Sequence, residues 1–511
     1  MHFAHLHSYA VNTTNNKPNR RDFLKTVGAA LGGVSLLGHG PLRGRALGSM
    51  PNAYTFYRIL TANEGLPFGT FPNWLGTITG SVMMVPPSSS DIGYLYVHGT
   101  VNRTFGPPAH AVFAVTIHFG MNPPVVLLVR PLAIEGTTLF ADGRNIPLGH
   151  IGTGACNSLG EYVTTFALNE SSNAISVENS PGVYLYRPDG NVQGTWSRLI
   201  GFADQVPDGS FYGGDFGDVA LDDNENLLLV AATTHSRGDR ISGFSGSQAL
   251  IATSFSRQGG GRVVLQTGDL LPSSSAAIES VGIVDLAADH AFAAQVSARL
   301  PGPNVTRSGT ALVVGNTQAA SGQRIVAASS ELISRADASR LKITSGHTFF
   351  GPRVDPQQDV AYVTHVSDFQ QSNGSNNAEI LGYYSRGSSH QLQQTQIGTS
   401  KNQVIGLGAP CIDSTGLVYG TELLGDGSTR LFISDGQNSQ VVLQSGDTIK
   451  GLPNRPFSEP LPVTEILLGQ HSAQVDAFGR IAFTAEFLKN ANSDPQNSSN
   501  VITGLVIGIP E

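Results

Sequence analysis

Two groups of residues in this chain have types and spacings suited to chemistry. The first is Thr234-His235-Ser236-Arg237-Gly238-Asp239-Arg240, which gathers an imidazole, two guanidinium groups and a carboxylate within seven residues. Such a run can hold an anionic ligand through His235, Arg237 and Arg240, with Asp239 beside them, or stand as an exposed, internally paired loop. The second group is scattered: His150, His347, Arg353, His471 and Gln474. The three histidines precede a recurring Asp or Asn by 7, 8 and 5 residues. Imidazoles brought to one place can bind a transition metal, whereas the same residues strung along a wet channel need only be solvated. The standard catalytic strings are absent: no Gly-x-Ser-x-Gly, no His-Glu-x-x-His, no Walker phosphate loop and no Cys-x-x-Cys. No pattern names a cofactor.

The elements that position these residues form a repeat. Val263-Val264-Leu265-Gln266-Thr267-Gly268-Asp269 returns as Val441-Val442-Leu443-Gln444-Ser445-Gly446-Asp447. Each is followed by a second shared block, Val284-Asp285 to Ala294 and Val475-Asp476 to Ala485. The second block recurs around Asn157, Asp222, Asp285, Asp355, Asp413 and Asp476, with a weaker first copy at Ser90-Asp91-Ile92-Gly93. The spacings run from 58 to 70 residues, about 64 on average, which makes seven copies. Each anchor reads as a hairpin turn: Asp or Asn bonds nearby backbone N–H groups and Gly takes positive φ. That position accounts for the anchor carboxylates without catalysis or calcium. Two further strands follow, such as Leu431-Phe432-Ile433 and Val441 to Gln444. Four antiparallel strands per unit, repeated seven times, predict an all-β fold: a single seven-bladed β-propeller.

The chain ends fit a ring. The last copy stops at its third strand, Gly504 to Gly508, while Tyr57-Arg58-Ile59-Leu60-Thr61 stands alone as an orphan fourth strand. Residues 55–62 are therefore expected to pair beside 504–509 and remove two open edges. The Gly-Asp element is degraded at Val129-Arg130-Pro131, Phe202-Ala203-Asp204 and Ala328-Ser329-Ser330.

Composition agrees. Gly supplies 60 of 511 residues and charged residues only 13%, against a usual ~7% and ~25%. Long solvated helices need more charge than this. The net charge of −8 hides an asymmetry, because residues 1–48 carry six cationic side chains against Asp22, and the remainder carries −13. An acidic body repels phosphate backbones, so nucleic acid is not an expected partner. Cys156 and Cys411 lie 255 residues apart and are expected to be two buried thiols.

Residues Asn19-Arg20-Arg21-Asp22-Phe23-Leu24-Lys25 precede an apolar run from Thr26 to Gly38. Arg20, Arg21, Phe23, Leu24 and Lys25 resemble a twin-arginine export signal. The apolar run is too short to span a bilayer. The resemblance implies 1–48 as a signal peptide, 49–511 as the propeller, the twin-arginine translocase as a partner during export, and a periplasmic or extracellular destination without a membrane span. The repeats resemble a family of uncharacterised exported bacterial propellers, with Asn/Asp-x-x-Gly-x-x-Ala-Phe and Gly-Asp-x-x-Pro-Gly elements. That resemblance implies a fold and carries no reaction. The loops 167–182, 233–248, 298–309, 366–379 and 488–502 are long and polar, and are expected on one rim. The leading expectation is a binding module for a protein, glycan or small ligand. The alternative is an exported hydrolase or lyase with a His/Arg site at the channel mouth.

Overall fold

The structure is a computed structural model that describes residues 50–64, 74–84, 91–102, 106–168, 181–188, 194–239, 247–255, 261–301, 307–319, 321–329, 332, 341–343, 349–367, 377–385, 388–395, 401–453, 455, 457–468, 473–490 and 500–511. The signal-like segment 1–48, with Arg20 to Lys25, lies outside these, as do Arg240, His347 and His471.

The strands form seven sheets in chain order. From the inner strand outward, the first blade is Trp74–Met84, Ile92–Asn102, Ala109–His118 and Val125–Ile134; the second is Arg144–Cys156, Tyr162–Leu168, Gly182–Arg187 and Thr195–Gly201. The third is Phe211–Leu221, Asn226–Thr234, Ser247–Ser254 and Gly261–Gln266; the fourth is Ala277–Leu286, Ala291–Leu300, Arg307–Asn316 and Arg324–Ser329. The fifth is Phe349–Val354, Val360–Ser367, Asn377–Ser385 and Ser388–Gln394. The sixth has a split inner strand, Val404–Leu407 and Cys411–Ile412, then Val418–Leu424, Thr429–Ser434 and Ser439–Gln444. In the seventh, Leu461–Ile466 and Ala473–Val475 precede Ile481–Leu488 and Val501–Pro510.

Tyr54–Thr61 supplies the seventh blade's outer strand, antiparallel to Val501–Pro510 from Tyr54↔Pro510 to Thr61↔Gly504. The inner strands pack in succession, and Ala473–Val475 packs against Trp74–Met84, so the ring closes. One apolar cluster fills each interface between consecutive blades, the seventh-to-first interface included. This explains the strand sequences. Second strands are covered on both faces and read as unbroken apolar runs, as in the fully buried Leu227 to Ala232. Outer strands alternate, with Val441 exposed and Leu443 buried. Among the described residues no helix is long and apolar enough to cross a membrane.

The hairpin anchors behave as turn chemistry requires. Asn157, Asp222, Asp355, Asp413 and Asp476 each accept the N–H groups two and four residues ahead through Oδ1, at 2.8–3.1 Å. Three residues past each anchor φ is positive: Gly160, Glu225, Gln358, Gly416 and Gly479. The fourth copy corrects the expected register. There Ala287 bonds Ala291 across the hairpin, as each anchor bonds its own partner, and His290 takes the positive φ. Asp285 instead faces the next blade. The first copy is also corrected. Val129-Arg130-Pro131 lies within the outer strand, and Glu135-Gly136-Thr137, with Gly136 at φ 73°, makes the turn that Thr267-Gly268-Asp269 makes elsewhere. The left-handed conformation costs a side chain ~1 kcal/mol or more. Gln358→Gly should therefore leave stability unchanged or raise it, whereas Gly416→Val should lower it by ~1–2 kcal/mol, read by denaturant unfolding.

Candidate ligand-binding site

The site is defined by where the repeat departs from itself. Inner strands are bulged: register breaks fall at Ile78/Val82, Ile151/Gly154, Phe216/Val219, Val281/Val284 and Phe350/Arg353. A bulge takes backbone N–H groups out of the ladder, and each needs another acceptor. Among the described residues, a polar side chain of the preceding blade supplies it at five interfaces. The N–H of Val281 donates to Gln248 Oε1 at 3.0 Å, and that of Leu407 to Glu379 Oε2 at 2.9 Å. Ile466 N–H donates to Thr429 Oγ1 at 2.6 Å, and Ile78 N–H to Thr503 Oγ1 at 3.2 Å. Gln248, Glu379, Thr429 and Thr503 all open, or lie near the start of, a third strand. At the first-to-second interface Glu135 takes over, accepting Ile151 N–H at 2.9 Å.

Between the second and third blades the equivalent residue is Pro181, whose carbonyl accepts Phe202 N–H just as Gln248 O accepts Thr267 N–H. Proline has no side-chain acceptor, so the clip cannot form. The facing inner strand differs too. Between the pairs Tyr212↔Thr233 and Phe216↔Ala231, three residues, Gly213, Gly214 and Asp215, stand opposite Ala232 alone. Gly214, at φ 98°, makes this wide bulge possible. A cleft of about 260 Å³ opens here, lined by His150, Thr153, Thr165, Phe166, Pro181, Asp215 and Phe216 among others.

His150 stands at its edge, exposed, with Nδ1 2.9 Å from Glu135 Oε1. A carboxylate accepts, so His150 donates from Nδ1. Glu135 also meets His110, whose ring lies tilted against that of buried His98, centroids 5.3 Å apart. Below the cleft Thr153 Oγ1 donates to Asp218 Oδ1 at 2.6 Å, and Val284 N–H to Asp218 Oδ2 at 3.0 Å. Desolvation raises the Asp218 pKa, opposed by these two donors and by Arg353. Asp218 thus joins three blades and is occupied structurally.

The other expected residues disperse. His235, Arg237 and Asp239 are exposed on a tight turn in which Asp239 N–H donates to Ser236 O. Thr234 pairs with Phe211, so this turn shares a rim with the cleft. Arg353 pairs with Asp285, Nη1 to Oδ1 at 3.0 Å, and Asp285 also accepts Val354 N–H. It lies two residues before its hairpin anchor and His150 seven before its own. Those levels differ by ~17 Å at ~3.3 Å per strand residue, so the two do not meet at one mouth. Among the described residues no group of three or more His, Cys, Asp or Glu can hold a metal ion. Cys156 and Cys411 form no disulfide, and burial pushes both thiols up.

No protein-family model and no curated protein matches the chain. Solved structures resemble it at low identity. A mutant sialidase of Trypanosoma rangeli with trans-sialidase activity is 11% identical at a TM-score of 0.34; the match covers 73% of this chain and 57% of that one. The propeller domain of the Trilobed protease from Pyrococcus furiosus is 9% identical at 0.38, covering 81% and 99%. The fucose-specific lectin of Aleuria aurantia is 9% identical at 0.31, covering 72% and 95%. These likenesses give no residue of this chain a role.

Proposed function

We propose that this protein is an exported binding module that captures a small ligand in the cleft between its second and third blades. The carrying observation is the coincidence of a missing interblade clip at Pro181 with the Gly213-Gly214-Asp215 bulge opposite. Two departures from the repeat at one interface open a cleft without breaking the ring. Two of the carboxylates near the cleft, Asp218 and Glu135, are committed to neighbouring backbone N–H groups. Export by the twin-arginine route, to the periplasm or beyond, rests on Arg20, Arg21, Phe23, Leu24 and Lys25, as does membership of the exported propeller family on the repeat elements. The exposed turn at His235, Arg237 and Asp239 extends the surface available to a larger ligand.

Ala167 tests the assignment. It is exposed, lines the cleft and is the cross-strand partner of His150. Ala167→Trp should fill the cleft while leaving the unliganded melting temperature close to wild type. A ligand found by thermal shift across small polar metabolites and oligosaccharides should lose its effect on this variant. A ligand that stabilises both proteins equally would place binding elsewhere.

A further inference from the structure

We infer a separate binding site at the seam where the ring closes, shaped for a small apolar molecule that carries one carboxylate. It stands independently of the cleft between the second and third blades. At the seam the turn 119–124 and the start of the outer strand Val125–Ile134 of the first blade face the connection between the sixth and seventh blades. A cleft of about 480 Å³ lies between them, within the ~300–1,000 Å³ of pockets for drug-sized ligands. The first blade contributes Met121, Pro123, Pro124 and Val126, and the connection contributes Leu452 and Pro453. This surface continues an existing core. Tyr57, Phe119 and Val126 pack on the apolar cluster of the seventh-to-first interface, and Leu452 is a buried member of it. An apolar occupant therefore extends the packing that already holds the ring closed. Met121 is half-exposed at the cleft and Leu127 half-exposed just beyond it, as expected where apolar surface is kept for a ligand.

The polar side chains of the lining, Asn122 and Arg455, set the head group. Each is held by a neighbour that leaves it a donor. The Tyr57 hydroxyl donates to Asn122 Oδ1 at 2.9 Å, so the amide N–H groups remain to be used. Arg455 donates through Nη2 to buried Glu64, and its Nε has no acceptor. The cleft thus presents N–H donors, one set of them cationic, at an apolar wall. A carboxylate matches both, because it only accepts and its bond to a guanidinium is charge-assisted. An alcohol forgoes the charge, and an ammonium group meets Arg455 with like sign. A sugar would press its hydroxyls against proline, valine and leucine without partners. A phosphate ester brings more charge than one guanidinium, already shared with Glu64, can match. The apolar body touches both sides of the seam, so a ligand bound only to the closed ring stabilises it by mass action.

The experiment is isothermal titration and thermal melting of the full chain with octanoate, and with octanol and octylamine as its neutral and cationic counterparts. Octanoate should bind, raise the melting temperature and bind about tenfold tighter than octanol. In the double variant Glu64→Gln with Arg455→Gln, which removes both charges and strands neither, that preference should vanish. Met121→Glu, at a half-exposed position, should weaken octanoate about tenfold, while Met121→Lys should hold or tighten it. Leu270→Glu, exposed between the third and fourth blades, should leave binding unchanged. Melting curves of the unliganded variants separate lost binding from lost folding. The proposal is overturned if octanol binds as tightly as octanoate, or if octanoate ignores both Met121→Glu and the double variant. It is equally overturned if octylamine alone binds, or if no probe binds. Sedimentation velocity covers the other occupant: a dimer that Met121→Glu disperses, with no probe bound, would give the seam to a second copy of this chain instead.

Discussion

Removing residues 49–62 should lower the melting temperature by roughly 5–10 °C and make the remaining ring prone to aggregation. This short segment carries an outsized share of the closure. Ile59 and Leu60 are buried in the cluster shared by the seventh and first blades, against Leu75, Ile78, Ala482, Leu505 and Ile507. Each such side chain is worth ~1.5–3 kcal/mol of burial. Arg58 is buried beside them, its guanidinium bonded to the carbonyls of Phe457 and Glu459 and lying 5.0 Å from the Phe487 ring. The next turn adds a pair between Glu64 and Arg455. Thr448–Gly451 lies parallel on the strand's other side, so its loss exposes two edges. Unfolding entropy of ~2 cal/mol/K per residue converts ~1 kcal/mol into ~1 °C for a ring of this size. The loss approaches the whole ~5–15 kcal/mol margin of a typical domain. Differential scanning fluorimetry with light scattering reads both effects, and a synthetic strand spanning 50–62 should restore part of the lost stability. An unchanged melting temperature would mean that closure does not depend on this strand.

Much of this architecture was legible because propellers repeat local chemistry. The Asp-x-x-Gly turns work through side-chain oxygen and backbone N–H groups four residues apart or fewer, so they survive as short strings. The closing strand was legible for a similar reason: Tyr57 to Thr61 is a strand-like run without a partner in its own unit. The fourth copy misled because Asp285 sits where an anchor looks natural, two positions before Ala287, and its true partners, Arg353 and Val354, are on another blade. The cleft was less visible still. It arises from an interaction that is missing, and a missing clip has meaning only beside Gln248, Glu379, Thr429 and Thr503, which make one. The signals were present as Pro181 and the doubled glycine before Asp215. They carry weight only after the third strands are aligned across blades.

Protonation of buried His98 should cost the ring stability in acid, and His98→Gln should remove that contribution. His98 is buried in the first blade, Nε2 3.0 Å from the Tyr162 hydroxyl across the interface. Burial, with a smaller contribution from His110, lowers its pKa from the ordinary 6.5 to about 3. The unfolded chain therefore binds a proton below about pH 6.5 that the folded chain refuses until about pH 3, and stability falls throughout that window. At ~1.4 kcal/mol per pH unit the loss is ~2 kcal/mol at about pH 5 and nears ~5 kcal/mol at the acid end. Desolvated carboxylates act with the opposite sign. Desolvation raises Glu64, Asp218, Asp222 and Asp476, so the folded state takes up their protons first and gains stability as pH falls through the raised values. The wild-type profile sums these effects with the acid loss at Asp426 and Asp435, whose carboxyls are held below the ordinary range by hydrogen bonds. Subtraction isolates the histidine, because glutamine keeps a polar partner for Tyr162 and does not titrate. Denaturant unfolding free energies should diverge between the two proteins as pH drops from about 7 to about 4, with His98→Gln losing less. Its own cost at neutral pH, from imperfect packing against His110, is a constant offset and leaves the slope unaffected. Parallel profiles would show that His98 is protonated in the folded ring, with water reaching the interface between the first and second blades.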